Sequence, residues 1–310
     1  MRFAILGSGS VGGYYGAKLA KAGHDVTFIA RGTHLQAIND KGLLIKSPLG
    51  DFCVHAHATD DTSTIATVDV VLVSVKTYDN GNALPLLLPL VGPKTMVLPL
   101  QNGVDGIDEI AALIGEKRTL GGATYITASV IEPGIIEHTG HHRRIVFGEL
   151  AGGMSSRVEA LAKIFFEADI QSEPKDDIRV ALWEKFIYLA PFAGFTAAAR
   201  LPIGPLRALS EFKSLFTLAL QEVERIARAE GIQVAHTIRE TIFQYVESLS
   251  SSSRSSLLND LEKGKRLEVE ALLGSVVRRG GRLGIPVPIM TTLYALLKPY
   301  ENGVPQPSGV

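Results

Sequence analysis

Gly7, Gly9 and Gly12 stand between a short apolar run, Phe3 to Leu6, and a helical pattern, Tyr14 to Ala22, that stops at Gly23. Strand, then G-x-G-x-x-G, then helix is the arrangement that binds a dinucleotide pyrophosphate. Gly7 permits the tight turn, Gly9 lets phosphate approach the backbone, and Gly12 lets helix and strand pack closely. The helix N-terminus adds amide N–H groups and the positive end of its dipole. Gly7, Ser8, Gly9, Ser10, Val11 and Gly12 are therefore the candidate phosphate cradle. The bland alternative, a structural glycine turn, is disfavoured by the elements on either side.

The end of the next strand selects the cofactor. An acidic residue there would bind the ribose 2′-hydroxyl of NAD, but Ile29-Ala30-Arg31 ends in a guanidinium suited to a 2′-phosphate, so NADP is preferred. Two further strand ends deliver Lys76 and Gln101-Asn102-Gly103. Singly, each reads as a solvated lysine and an ordinary turn. Together with the glycine loop and Arg31 they converge on the edge where doubly wound sheets bind ligands. In the second half Lys185 lies among Leu182, Trp183, Phe186, Ile187 and Leu189 on one helix, facing inward. Burial lowers a lysine's pKa toward the range useful for proton transfer, although a lysine snorkelling at a helix end has the same pattern. Glu268 borders the apolar stripe Val269, Leu272, Leu273, Val276 and Val277, where a solvated glutamate is the default.

These residues need a scaffold, and the chain supplies two kinds. Asp25 to Ala30, Val68 to Val75 and Met96 to Leu100 are continuously apolar, as in parallel strands covered on both faces. Gly121 to Phe147 is β-rich and reads as closing strands of the same domain. After Glu173-Pro174-Lys175 the pattern becomes helical: Ile178 to Ala199 is apolar on nearly every face, and Phe212, Leu215, Phe216, Ala219, Leu220, Val223, Ile226 and Ala227 form a stripe before Gly231. A helix covers about Thr237 to Leu249, and two more follow the serine-rich stretch. The expected fold is α/β: an N-terminal Rossmann-type doubly wound sheet over residues 1–173, then an all-helical domain over 174–310 for substrate binding and dimerisation. The tail Gly303 to Pro307 reads as frayed.

Composition narrows the function. The 310 residues carry 31 Lys plus Arg against 32 Asp plus Glu, which removes the electrostatic argument for nucleic acid or an anionic membrane. No apolar run is long enough to span a bilayer, and Met1 to Leu6 is too short for a signal peptide. Cys53 is the single cysteine and reads as a small strand residue, so nothing indicates an oxidising compartment and a cytoplasmic protein is expected. His138, His141 and His142 flank a hairpin glycine with no carboxylate at ligand spacing; surface histidines, and no metal, are the expectation. The serines before residue 255 suit capping and turn formation as well as a linker.

The ordered set Gly7 to Gly12, Arg31, Val75-Lys76, Gln101-Asn102-Gly103, Trp183-Glu184-Lys185, Ser255-Ser256-Leu257-Leu258-Asn259-Asp260, Glu268 and Gly284-Ile285-Pro286-Val287-Pro288 resembles the 2-dehydropantoate 2-reductase (ketopantoate reductase) family over essentially the whole chain. The resemblance implies an NADPH-dependent oxidoreductase that reduces 2-dehydropantoate to (R)-pantoate for pantothenate and coenzyme A synthesis, acting in a domain cleft. It makes Lys185 the proton donor, gives Asn102 contacts to cofactor and Lys185, and assigns Lys76 to the cofactor. Ser256 becomes the carboxylate ligand, with Ser253 three residues before it lining the substrate pocket. Glu268 falls near the nicotinamide ribose, and the backbone near Ala128 lines the cofactor site. The chain departs from the family pattern where Leu189, Ala193, Ser253 and Ile203 replace asparagines, which makes the pocket more apolar and leaves a related reductase of another 2-oxo acid as an alternative. From other classes, a non-catalytic NADP sensor and a partner-binding protein using its apolar helices also fit the composition. A homodimer would suit the helical half.

Overall fold

Alternating valine, isoleucine and leucine shape the first half into parallel strands of a computed structural model that describes residues 1–305. β1 (Arg2–Leu6), α1 (Ser10–Lys21), β2 (Asp25–Ile29), α2 (Gly32–Lys41), β3 (Leu43–Lys46), β4 (Phe52–Val54), β5 (Ala58–Thr59), β6 (Val68–Val73), α3 (Asn80–Ala83) and β7 (Val91–Pro99) follow one another. A five-stranded sheet has the order β5-β2-β1-β6-β7, and every pairing in it is parallel. Leu6 pairs with Ile29 on one side and with Val73 on the other, so the sheet changes winding direction at β1. That is the topological switch point where such sheets bind ligands. The period-2 pattern covers both faces: Phe3, Ile5, Val70, Leu72, Met96 and Leu98 enter one apolar core, and Ala4, Leu6, Val71, Val73 and Val97 another.

The β-rich segment after residue 120 stays in this unit but does not extend the parallel sheet. After α4 (Asp105–Ile114), β8 (Leu120–Glu132) and β9 (Ile135–Glu149) form a long antiparallel hairpin. β9 also pairs with β3 and with β10 (Gln171–Pro174), which follows α5 (Ser156–Glu167), and β4 closes this second, mixed sheet. Gly122 permits the arrangement, because a Cβ there would stand 2.4 Å from Leu98 Cδ1 and 2.6 Å from Pro99 O. Cys53 lies exposed in β4. His138 is not a surface residue. It is buried in β9, within hydrogen-bonding distance of Ser47 Oγ (2.9 Å) and the His142 carbonyl (3.0 Å), while His141 and His142 are exposed. Among the described residues no group of three or more His, Cys, Asp or Glu is arranged to hold a metal.

The second unit is helical: α6 (Ile178–Ala199), α7 (Ile203–Arg207), α8 (Ser210–Ala229), α9 (Ile238–Ser248), α10 (Ser256–Glu262), α11 (Ser275–Leu283), preceded by a π turn over Glu270–Gly274, and α12 (Pro288–Leu297). Compact units divide the chain into residues 1–101 with 106–179, and residues 102–105 with Val180 onward. A boundary after residue 173 would cut β10, which pairs with β9. α8 ends as its glycine implies, with Gly231 at φ 83° donating to Arg228 O. Leu215 departs from the stripe assigned to it and is 42% exposed, since its neighbours Phe212 and Phe216 already fill the core side of that turn. Within the tail, Gly303 is buried and donates to Tyr300 O, so it is tied down; Gln306 and Pro307 lie outside the described residues. No described helix is long and apolar enough to cross a membrane.

Buried Glu222 on α8 gives the helical unit a polar fixing point. Its carboxylate accepts the Ile289 and Met290 N–H groups (3.0 and 2.9 Å) at the start of α12, where helix geometry leaves amides unpaired. Glu222→Ala should lower unfolding stability by about 2–4 kcal/mol, because a buried and a half-buried donor lose a charged acceptor; denaturant titration would measure it, and a loss below about 0.5 kcal/mol would contradict this account.

Candidate functional site

The glycine loop leaves β1 at Gly7, whose φ of 95° belongs to glycine and whose substituted Cβ would stand 2.6 Å from Val75 N. Gly7 and Ser8 both donate their amides to Ile29 O, and Ser8 Oγ donates to the same carbonyl at 3.1 Å, so Ser8's polar groups face inward and fix the turn. The first intrahelical bond runs from Gly13 N–H to Gly9 O at 2.7 Å, which leaves the amides of Ser10, Val11 and Gly12 without intrahelical acceptors. A Cβ on Gly9 would meet nothing within 4 Å, whereas one on Gly12 would lie 2.3 Å from Gly7 O and 2.5 Å from Ser74 Oγ. Ser74 Oγ is itself buried without a hydrogen-bond partner. Three orphan amides, an open face at Gly9 and an unmatched hydroxyl fit a pyrophosphate with an ordered water.

His34 holds this loop from the side. Its Nδ1 accepts the Gly134 N–H (3.0 Å) and its Nε2 therefore donates to Ser8 O (2.8 Å), tying the loop to the β8–β9 turn. Ala128 lies in the same hairpin, opposite His138. Arg31 directly precedes α2 with its side chain 74% exposed and donates to Asp79 Oδ2 at 3.3 Å. Lys76 begins the short 3-10 turn Thr77–Asp79 that follows the end of β6. Gln101, at the end of β7, donates to Val75 O (2.8 Å) and Asn80 Oδ1 (2.6 Å), and Asn80 donates to Glu109 Oε2 (2.7 Å), which locks the β6 and β7 ends together.

The helical unit carries the other predicted residues and brings Lys185, Asn102 and Glu268 together. Lys185 on α6 donates to Asn102 Oδ1 at 3.3 Å. Protein crowding the ammonium lowers its pKa from 10.5 to about 8, opposed by the attraction of the Glu268 carboxylate. Glu268 is buried rather than solvated, directly ahead of the helical turn that begins at Val269. Ser256 opens α10 with its side chain exposed. The neighbouring Ser255 is the buried cap: its Oγ accepts Leu258 N–H at 3.0 Å and lies 2.8 Å from Thr196 Oγ1. Ser253 is half-buried, with its carbonyl accepting Ile203 N–H at 2.9 Å. Ala193 and Ile203 belong to the apolar core, and Leu189 packs on it half-buried. The first unit thus presents amides able to hold a phosphate, and the second a lysine whose pKa is lowered to about 8.

His34 and Asp79 escape a reading of the sequence, because each acts through a partner far along the chain. Ser74 escapes it too, although a polar residue two positions before the strand-end lysine is a signal; Gln101 is legible as a strand-end residue, but its bonds to Val75 and Asn80 are not.

A family model described as "Ketopantoate reductase PanE/ApbA" matches residues 3–152, and one described as "Ketopantoate reductase PanE/ApbA C terminal" matches residues 177–301. The chain is 31% identical over 303 residues to a 2-dehydropantoate 2-reductase of Nostoc sp., covering 96% of this chain and 94% of that one. It is 29% identical over 301 residues to "Uncharacterized oxidoreductase YkpB" of Bacillus subtilis, covering 97% and 99%. The crystal structure of a PanE/ApbA family ketopantoate reductase from Ralstonia eutropha superposes with a TM-score of 0.89 at 34% identity, covering 97% of this chain and 98% of that one.

The two glycines separate fold from binding. Gly9→Ala should unfold within about 2 °C of the parent yet bind dinucleotide at least tenfold more weakly, because its methyl group enters the cradle and nothing else. Gly12→Ala should lose both stability and binding. Thermal unfolding and fluorescence titration with NADPH would read both, and unimpaired binding by Gly9→Ala would remove the loop from cofactor recognition.

Proposed function

Because the chain belongs to the ketopantoate reductase family, we propose that it reduces 2-dehydropantoate to (R)-pantoate, the step that serves pantothenate and coenzyme A synthesis. The family's cofactor is NADPH, which when bound supplies the hydride to the keto carbon. The Ser10, Val11 and Gly12 amides would hold its pyrophosphate and Arg31 its 2′-phosphate, with Lys76, Asn102, Glu268 and the backbone near Ala128 as further contacts. The observation that carries the reading is the Lys185 ammonium: paired with Asn102 at 3.3 Å, beside buried Glu268, with a pKa of about 8.

At neutral pH Lys185 is mainly protonated. Its N–H groups stabilise negative charge growing on the substrate carbonyl oxygen and then one proton passes to that oxygen. Asn102 keeps the ammonium oriented, and Glu268 offsets the cost of desolvating it. Ser256, exposed at the start of α10, would bind the substrate carboxylate, with Ser253 beside it. A second reading, a different 2-oxo acid with an apolar substituent, is favoured by half-buried Leu189, which offers no side-chain hydrogen bond to a substrate hydroxyl; Ala193 and Ile203 are buried in the core.

NADPH oxidation followed by absorbance, with 2-dehydropantoate and a panel of branched 2-oxo acids, tests both readings; no turnover of any of them would leave a dinucleotide-binding protein without this activity. Lys185→Ala should reduce kcat by roughly 10²–10⁴, the scale for a lost general acid. The proton donor must be charged, so reduction by the parent should be flat at low pH and fall about tenfold per unit as pH rises beyond about 8. A profile unchanged to pH 10 would exclude Lys185 as the donor. Arg31→Ala should raise KM for NADPH far more than for NADH; equal effects would place the 2′-phosphate elsewhere.

A further inference from the structure

Asn102 can orient Lys185 only if its own backbone is held, and the four residues Asn102 to Asp105 belong to the helical unit although the chain on either side belongs to the first. Asp105 is their anchor. Its Oδ1 accepts from Arg279 Nη2 (2.6 Å), Arg279 Nε (3.1 Å) and Ser275 Oγ (2.9 Å), and its Oδ2 from Arg278 Nη2 (3.3 Å). The Arg279 side chain is 12% exposed, its Nη1 pairs with Glu230, and its guanidinium lies 5.4 Å from the Trp183 ring. Trp183 is two residues from Lys185 on α6. Gly103 supplies the close approach between these anchors: at φ 88°, its substituted Cβ would stand 2.9 Å from Ala271 O in the π turn.

One guanidinium thus touches both partners of the Lys185–Asn102 pair at a remove: the indole on the lysine's helix and the carboxylate on the asparagine's segment. We propose that Asp105 and Arg279 are positioning residues, a clamp that fixes Asn102 against Lys185 and so sets the aim of the ammonium. This rests on the proposed reductase chemistry of Lys185. A salt bridge serving stability alone would not need its acceptor three residues from Asn102, nor its donor packed against the lysine's helix. Loss of the clamp frees Asn102 without removing any group that touches substrate, and displacements of about 1 Å in such sites cost up to about 10² in rate.

A double-mutant cycle tests this. Asp105→Ala should lower kcat about tenfold or more with KM for NADPH within about twofold of the parent, Asn102→Ala should lower kcat at least as much, and Asp105→Ala added to Asn102→Ala should cause no further loss. Arg279→Lys, which keeps the charge but loses the fork, should resemble Asp105→Ala, while Asp105→Asn, which keeps an acceptor, should recover most activity. Thermal unfolding would identify any variant that fails to fold, and Arg279→Lys then substitutes for Asp105→Ala. The rate of Lys185 acetylation by acetic anhydride, read by mass spectrometry on the whole protein, supplies a measure independent of turnover: Asp105→Ala and Asn102→Ala should change it by the same factor and not additively. Additive losses, or parental kcat and acetylation in both Asp105→Ala and Arg279→Lys, would overturn the clamp. An inactive parent would count against the reductase reading, and acetylation would still decide the clamp.

Discussion

An ammonium ion withdrawn from water must be matched by acceptors or it loses its proton, and the helical unit is organised around that constraint at Lys185. Desolvation pulls its pKa down and Glu268 pulls it back, leaving it near 8. Burial without the carboxylate would lower the pKa further, and the carboxylate without burial would raise it. Asn102 provides direction.

The glycine loop obeys the opposite logic, since its function depends on groups left unmatched. Helix geometry denies the first amides of α1 an internal acceptor, and the buried Ser74 hydroxyl has none either. Such deficits cost stability unless a ligand or water compensates. Close contacts offset them: Gly12 brings α1 onto β1 and β6, and Ser8 and His34 secure the turn with hydrogen bonds that face the protein. The loop is held where it touches the fold and open at Gly9, where a Cβ would meet nothing within 4 Å.

Much of this was legible in residue order, because it depends on local periodicity. The parallel strands, the apolar helix α6 and the loop Gly7 to Gly12 follow from spacing, and Lys185 stands out because a charge interrupts an apolar helix. What escaped depends on pairing between distant segments. The hairpin from Leu120 to Glu149 carried a clear strand signal, but its membership of a separate sheet with β3, β4 and β10 rests on register with strands before and after it. The burial of His138 depends on Ser47, 91 residues away, and Leu215 is exposed because Phe212 and Phe216 occupy the core. Nothing in one sequence announces the contact of Asp105 with Arg279 across 174 positions.

Arg31 illustrates how magnitude separates a ligand site from a structural ion pair. Its bond to Asp79 is long, at 3.3 Å, and the guanidinium is largely exposed. Pairs of that kind contribute about 0–1 kcal/mol. A phosphate monoester carries a charge near −2 and accepts charge-assisted bonds of about 1.5–3 kcal/mol. The guanidinium would therefore gain more from a 2′-phosphate than it would lose from the carboxylate, so the Asp79 pair is no obstacle to the role proposed for Arg31.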